Sequence, residues 1–204
     1  TGLKASHVNT KNQAQYFNII EGEDQIDYSK TNQFQYTENI IAGYINYNRQ
    51  VKKWSIQTGL RYEHTSMDGN QFGNPTKPDS TFKRSYGSLF PTLFVGYSAN
   101  KNNEFALSYG RRIDRPAYQD LNPFLFYLDK FTYARGNPYI RPQFTNNVEL
   151  THTFKSFLTT TLNYSYTKDF MNETFSQGRE EFGEDQYATI VRQGNIGVRQ
   201  NGGV

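Results

Sequence analysis

Cysteine is absent from this 204-residue chain, which excludes a disulfide-stapled scaffold and any metal centre built on thiolates. Long apolar runs are absent too. Nothing approaches the roughly 20 consecutive apolar residues of a membrane helix, and the mean hydropathy is −0.81. A membrane role is therefore open to the chain only through strands of a barrel. Excess charge of one sign is lacking: 22 Lys and Arg stand against 19 Asp and Glu, a net of +3. With no dense basic block, nucleic acid is not an expected partner. Catalytic signatures are missing as well: there is no GxSxG, no Walker loop and no HExxH, so the chain is read as a non-enzyme without a cofactor. Its three histidines, His7, His64 and His152, lack the spacing of a metal or triad motif, and no metal is expected.

What is present is aromatic. Leu, Ile and Val are sparse, which argues against a thick soluble core, whereas 16 Tyr, 16 Phe and one Trp supply much of the apolar surface. In LTTTLNYSYTKDF, Leu158, Thr160, Leu162, Tyr164 and Tyr166 take one parity and Thr159, Thr161, Asn163, Ser165 and Thr167 the other. Period-two alternation means a strand. A soluble sandwich yields it with the apolar parity on a core and the polar parity in water. A barrel yields it with the apolar parity on lipid and the polar parity in a wet lumen.

The organisation along the chain favours the barrel. Three hairpins with short turns are predicted, at Gln50 to Lys53, Ala99 to Asn103, and Lys155 with Ser156. Longer polar segments lie between them: Lys11 to Gln33, Asp68 to Lys83, Pro116 to Gln143, and Asn172 to Gln186. Short turns on one side and long loops on the other are the asymmetry of outer-membrane barrels. A first strand near Leu3 to Val8 and a last near Tyr187 to Val204 bring the count to about eight. Aromatics flank the turns as an interface girdle requires: Tyr47, Trp54, Tyr97, Phe105 and Phe157. Trp54 and Tyr62 share a parity about 26 Å apart along one strand, so they mark the two edges of an apolar band. Pro91, in mid-strand, signals an edge or bulge.

Several stretches resemble a known family: SYGRRIDRPAYQDLNPF at 108–124, GNPYIRPQFTNNVEL at 136–150 and the LTTTLNYSYTKD that follows, with NIIAGYINY and WSIQTGLRYE before them. They are similar to the outer-membrane β-barrel portion of TonB-dependent receptors of Bacteroidota. The resemblance implies an all-β, antiparallel transmembrane barrel. About eight strands are present as part of a larger barrel of about 22, and residues 1–204 form one barrel segment lacking the plug domain and closing strands. It further implies uptake of a scarce nutrient, with outer-membrane lipid around the wall, an inner-membrane TonB-type energising protein reached through an N-terminal region, and a surface lipoprotein as a further partner. Two other roles fit the residues: a small closed barrel acting as anchor or adhesin, and a receptor-like barrel serving as scaffold in a surface or secretion assembly.

The densest mixture of Arg, Asp, Tyr, Asn and Pro lies between Arg111 and Gln143. Read as an extracellular loop, it offers Arg112, Asp114, Arg115, Tyr118, Asp120 and Asn122 as candidate ligand contacts. The competing reading is structural, and it is favoured: RRIDRP as a salt-bridge network, with NPF and GNPY as turn formers that pin the loop. The acidic stretches EGED at 21–24 and REEFGED at 179–185 read as solvated loop tips.

Overall fold

The computed structural model describes residues 1–178 and 188–204. In chain order the elements begin with β1 (Gly2–Ala14), the short pair β2 (Phe17–Ile20) and β3 (Glu23–Ile26), then β4 (Asn32–Val51), β5 (Trp54–Phe72), β6 (Ser80–Asn100) and β7 (Asn103–Asp114). After a one-turn helix, α1 (Tyr118–Leu121), come β8 (Leu125–Asp129), β9 (Thr132–Arg135), β10 (Gln143–Phe154) and β11 (Leu158–Lys168). The chain finishes with β12 (Met171–Gln177), β13 (Thr189–Asn195) and β14 (Val198–Gly203). Eight of these form one sheet in the order β1-β4-β5-β6-β7-β10-β11-β14, every neighbouring pair antiparallel. Strands β1 and β14 are its edges, so the sheet does not close on itself among the described residues.

The hairpin turns sit where the polar punctuation placed them. Val51 pairs Trp54 across Lys52 and Lys53, Asn100 pairs Asn103, and Phe154 pairs Leu158. In the last turn Lys155 and Ser156 both take positive φ, and the Phe157 N–H donates to the Phe154 carbonyl at 3.0 Å. Two successive positive φ values give a turn whose twist matches that of the flanking strands.

Directly opposed residues of an antiparallel pair point the same way, so the register assigns every side chain to a face. One row reads Tyr47, Thr58, Leu93, Tyr109, Val148, Tyr164 across six strands. The row beside it, on the opposite face, reads Asn48, Gln57, Phe94, Ser108, Glu149, Asn163. The first face continues through Leu3, Ile41, Ile45, Leu60, Leu89, Leu107, Leu150 and Leu162, and all of these side chains are exposed. A soluble sandwich buries such a face, and water would leave so wide an apolar band unstable. The polarity is inside out, as a wall between lipid and a hydrated lumen demands. Along the short-turn edge of this face the Trp54 ring stacks on Tyr97 at 4.3 Å and Phe105 stacks on His152 at 4.5 Å. Tyr47 is exposed on the same face, and Phe157, in the turn, is 91% exposed.

On the long-loop side the wall runs on beyond Tyr62, and there the alternation changes phase. Outward positions become polar: Thr37, Asp68 and Lys83 form one row, with Lys83 paired to Asp68 at 2.9 Å. Inward positions become apolar, and Phe34, Tyr36 and Met67 form a buried cluster with Phe82 and Tyr86 packed against it. The expected loop from Asp68 to Lys83 is therefore mostly strand, and only 73–79 connect β5 to β6. Asp68, Gly69 and Asn70 read as turn formers in sequence, but their backbone stays in the ladder to Lys83, Phe82 and Thr81.

A second correction concerns the last strand. The segment expected as one strand from Tyr187 to Val204 is divided by Ile196 and Gly197, and Gly197 has φ +119. Only β14 joins the main sheet, while β13 belongs to a four-stranded sheet ordered β12-β13-β9-β8. Pro91 marks a third feature. Strand β6 pairs with β5 from Ser80 to Tyr97 but with β7 only from Thr92 onward. In an antiparallel strand each residue turns its N–H and C=O toward one neighbour, so a proline interrupts one ladder only. Here the ladder that stops at Pro91 is the one with β7, and the wall forks above it.

The phase change sets the upper limit of the lipid band. Leu93→Arg, at the level of Thr58 midway between Trp54 and Tyr62, is expected to destabilise the membrane-inserted protein by about 2–4 kcal/mol, whereas Ser66→Arg costs about 0–1 kcal/mol. Reversible denaturant unfolding in phospholipid bilayers measures both. Equal costs would place Ser66 in hydrocarbon and remove the boundary.

Candidate functional site

The fork above Pro91 is filled by the segment that follows β7. Arg112 and Asp114, predicted in a loop, lie instead within β7, because its ladder with β10 continues to Asp114 opposite Gln143. Charge in that position is ordinary for a strand facing a wet lumen. Arg112 borders an inward-facing basin of about 490 Å³ with Ser108, Asn147, Glu149 and Asn163. Asp114 accepts a hydrogen bond from the Gln143 amide at 2.9 Å.

Arg115 crosses the fork. Its Nη2 meets Glu63 at 2.7 Å and donates to Thr65 Oγ1 at 3.2 Å. Glu63, itself buried, also takes Arg61 at 3.3 Å. The Arg115 ion pair of RRIDRP thus runs to the barrel wall. Arg111 from the same run lies over the Phe144 ring at 4.7 Å.

Beyond Arg115 the chain forms α1, whose first turn is held by Asp120: its Oδ2 accepts the Ala117 N–H at 3.2 Å. Burial pushes the Asp120 carboxyl above its usual range. Leu121, 1% exposed, and Tyr118 join the cluster of Phe34, Tyr36, Met67 and Ile140, so the loop packs into the inward face of the upper wall. Asn122 is buried, and its Oδ1 accepts the Phe124 N–H at 3.1 Å. Asn137 does the same for Tyr139 at 3.0 Å. Both are Asx turns of an Asn-Pro pair. Gly136 is required between them, because a Cβ there would collide with the Asn122 carbonyl oxygen. Arg84, on β6, donates to the Ile140 carbonyl at 2.6 Å and clamps the far end of the loop.

Two further loops close around this one. Asn74 donates to the carbonyls of Tyr28 and Thr31 at 2.9 and 3.1 Å. Lys77 lies 4.4 Å above the Phe124 ring, and burial, aided by the Arg135 charge, lowers its ammonium below the ordinary lysine value. Tyr127 and Tyr133 meet edge to face at 5.8 Å, with Lys30 over Tyr127.

The other long loop enters through a corner that sequence reasoning missed. Asp169 has φ +55, and opposite it Gly197 accepts the Phe170 N–H at 2.9 Å. The β11–β14 pair bends at these residues into the β12–β13 pair. Arg141 bonds Asp169 at 2.7 Å. Asn195 accepts the Arg141 N–H and donates to the Arg141 and Asp169 carbonyls, all within 2.8–2.9 Å. The strands beyond this corner then pair in parallel with the first loop, Ile190 opposite Tyr133 and Val191 opposite Ala134. Between this sheet and α1 lies a depression of about 200 Å³ bordered by Asp120, Phe126, Glu173, Val191 and Gln193. Of the six predicted ligand contacts, Asp120 and Arg112 therefore border two different hollows, and Arg115, Tyr118 and Asn122 hold the loop in place.

EGED forms the exposed turn of the β2–β3 hairpin, with Glu21 and Gly22 at positive φ. REEFGED falls outside the described residues. Among the described residues no three His, Asp or Glu side chains are grouped to hold a metal ion. His7 pairs with Asn39 at 2.6 Å and His152 with Asn103 at 3.0 Å.

The sequence model of the outer membrane protein beta-barrel family matches residues 1–204. No curated protein matches the chain in sequence. Among solved structures, the Serratia marcescens hemophore receptor HasR, in complex with its hemophore and heme, superposes with a TM-score of 0.62 at 13% identity, covering 98% of this chain and 38% of that one. The Pseudomonas aeruginosa ferric enterobactin receptor PfeA gives 0.53 at 14% identity, with 98% and 38% covered. The siderophore receptor PirA of the same organism gives 0.52 at 11% identity, with 98% and 46% covered. At such identity the likeness is one of fold, and the chain spans 38% of the length of the first of these receptors.

The Arg115 tie and the Gly136 contact give a direct test. Arg115→Ala leaves Glu63 buried with one cation fewer, at a cost of about 1.5–3 kcal/mol for a charged hydrogen bond. Gly136→Ala forces the end of α1 and Asn122 away from residue 136, because the added Cβ meets the Asn122 backbone and the Gln119 carbonyl. In both variants amide exchange across 116–140 is expected to accelerate at least tenfold while the wall of β4–β6 is unchanged. Unaltered exchange in both would show that neither contact holds the loop.

Proposed function

The chain belongs to the outer membrane protein beta-barrel family and resides in the cell outer membrane. From that footing we propose that it is the wall and ligand-facing loops of a receptor that takes up a scarce nutrient through a plugged barrel. A TonB-type inner-membrane protein supplies the energy, and a surface lipoprotein serves as a further partner. The observation that carries this reading is the phase change in the wall. Below Tyr62 the inward face is mainly polar, and above it the inward face is apolar and packs against two long loops that pair with each other. An anchor needs no such arrangement, whereas a receptor needs loops held at the mouth of a wet conduit.

Solved structures similar to this chain in fold include receptors for a hemophore and for siderophores, which supports uptake as the class of function. The small closed barrel is disfavoured by the two open edges, β1 and β14. Unpaired backbone groups are costly in hydrocarbon, so a longer barrel fits better. Within this reading Tyr47, Trp54, Tyr97, Phe105 and Phe157 mark the periplasmic interface and Tyr62 the outer one. Arg112 lines the conduit, Asp120 faces the ligand, and Arg115, Tyr118 and Asn122 position the loop. Asp114, bonded to Gln143, completes the rim. No catalytic step is assigned.

The native protein extracted from outer membranes is expected to have an intact mass several times the 23.7 kDa of this chain. Cells lacking it, and cells lacking the energising protein, are expected to lose uptake of the same limiting nutrient. A native mass near 23.7 kDa, or a deletion that leaves every uptake rate unchanged, would overturn the receptor.

A further inference from the structure

We propose that the upper edge of β6 is a docking edge for an extended, acidic strand of a second protein at the cell surface, which pairs backbone to backbone with the wall whatever nutrient passes through the barrel. The Ser98 N–H donates to the Lys53 carbonyl at 2.9 Å, so even-numbered residues of β6 turn their backbone toward β5 and odd-numbered ones toward the opposite side. Below the fork that side is taken by β7, from Thr92 opposite Gly110 downward. Above it, Thr81, Lys83, Ser85, Gly87 and Leu89 meet no strand on that side among the described residues, and all five are exposed. None of them makes a backbone–backbone bond outside the sheet ladders. The edge is flat at its lower end, because the Tyr62 hydroxyl lies where a Cβ on Gly87 would stand.

The wall is stepped at this edge. Arg115 follows Tyr109 and Ile113 in outward parity, yet it bonds Glu63 and Thr65 on the inward face of β5. Phe144, opposite Ile113 and so outward on β10, stacks at 6.5 Å on Phe90, which points inward from β6. The tops of β7 and β10 therefore pass behind β6, and its free edge overhangs their outward face. In the sheet order β1, β4 and β5 flank β6 on one side and β7, β10, β11 and β14 on the other. Strands added to either end of the sheet leave the step uncovered.

Leu89 stands opposite Tyr62 and Ser85 opposite Ser66, so the edge starts at the outer boundary of the lipid band, where unpaired backbone is costly, and rises into water. Donor and acceptor pairs that recur every second residue, about 6.8 Å apart, match the backbone of another strand and no lipid headgroup. The outward charges around the step are Lys83, Arg111 and Lys168 against Asp68, which Lys83 already engages. Arg84, of the opposite parity, is held by the loop carbonyls. Arg111 Nε is buried without a hydrogen-bond partner. An added strand carrying carboxylates complements this surface. Pro91 has no N–H to offer, so it ends the free edge below and sets where pairing stops.

The full-length receptor is followed by residue-resolved amide exchange in native outer-membrane vesicles and, after purification, in bilayers of phospholipid and lipopolysaccharide. Lys83, Ser85, Gly87 and Leu89 are expected to exchange fast in the reconstituted bilayers and at least tenfold more slowly in the vesicles, while Arg84, Tyr86 and Ser88 stay slow in both. Ser85→Pro, which removes an N–H at the free edge only, and Arg111→Glu are expected to abolish the vesicle protection, and Ser85→Ala to keep it. A synthetic peptide alternating Glu and Val restores the protection in reconstituted bilayers, and the same peptide N-methylated at every second residue does not. Fast exchange in both preparations, or vesicle protection indifferent to Ser85→Pro and Arg111→Glu, overturns the docking edge. Slow exchange already in the reconstituted bilayers assigns the cover to lipid or to a second copy and overturns it too. No effect of either peptide, or an equal effect of both, overturns pairing with an acidic strand. Nutrient uptake in the deletion strain is measured separately, so loss of the docking edge leaves the receptor reading standing.

Discussion

Hydrocarbon offers no hydrogen-bond partner to a peptide group, so a strand crossing it must satisfy its backbone through its neighbours, and its side chains are left to match two different solvents. The rest of this structure depends on that constraint. It fixes the sheet, it fixes which parity of each strand is apolar, and it changes sign where the bilayer ends. The row through Tyr47, Leu93 and Val148 is apolar because it meets lipid. The row through Thr37, Asp68 and Lys83, on the same face of the same strands, is polar because it meets water. What the outward face gives up above Tyr62, the inward face takes over as a core of Phe34, Tyr36 and Met67.

That upper core explains how loops become part of a wall. A strand that ended at the bilayer surface would offer the loops nothing to pack on. Here β4, β5 and β6 carry an apolar inward face past the membrane, and Leu121 and Ile140 seal against it. The fork at Pro91 opens the path by which the chain reaches that face, and Arg115 secures the crossing through Glu63, a carboxylate whose burial is tolerable only because two guanidiniums reach it. Proline, ion pair and core act at successive levels along one route.

Much of this was legible in the sequence, and the illegible parts share a cause. The three hairpins were readable because period two and short polar turns are local signals. NPF and GNPY were readable as turns because an Asn side chain acts on its own backbone two residues on. The upper halves of β5 and β6 were not, because reversed alternation with Asp68, Gly69 and Asn70 on it imitates a loop. Arg112 and Asp114 read as loop residues in sequence because they open a stretch dense in Arg, Asp, Tyr, Asn and Pro, although a lumen-facing strand carries charge freely. Arg141 and Asn195 stand 54 residues apart, and nothing local in either points to the other. Gly197 was the one available sign that the last strand breaks.

The parallel pairing of β13 with β9 bears on how such a protein can diversify. Loops attached separately to a barrel can be exchanged one at a time, each a cassette with its own history. Loops hydrogen-bonded into a common sheet cannot, since lengthening or replacing one removes the other's neighbour. Lineages descended from this chain would therefore acquire new specificities through side chains on the existing sheet, or through insertions at exposed turns outside it, such as Glu21 and Gly22 of the separate β2–β3 hairpin, while the paired strands themselves are inherited together.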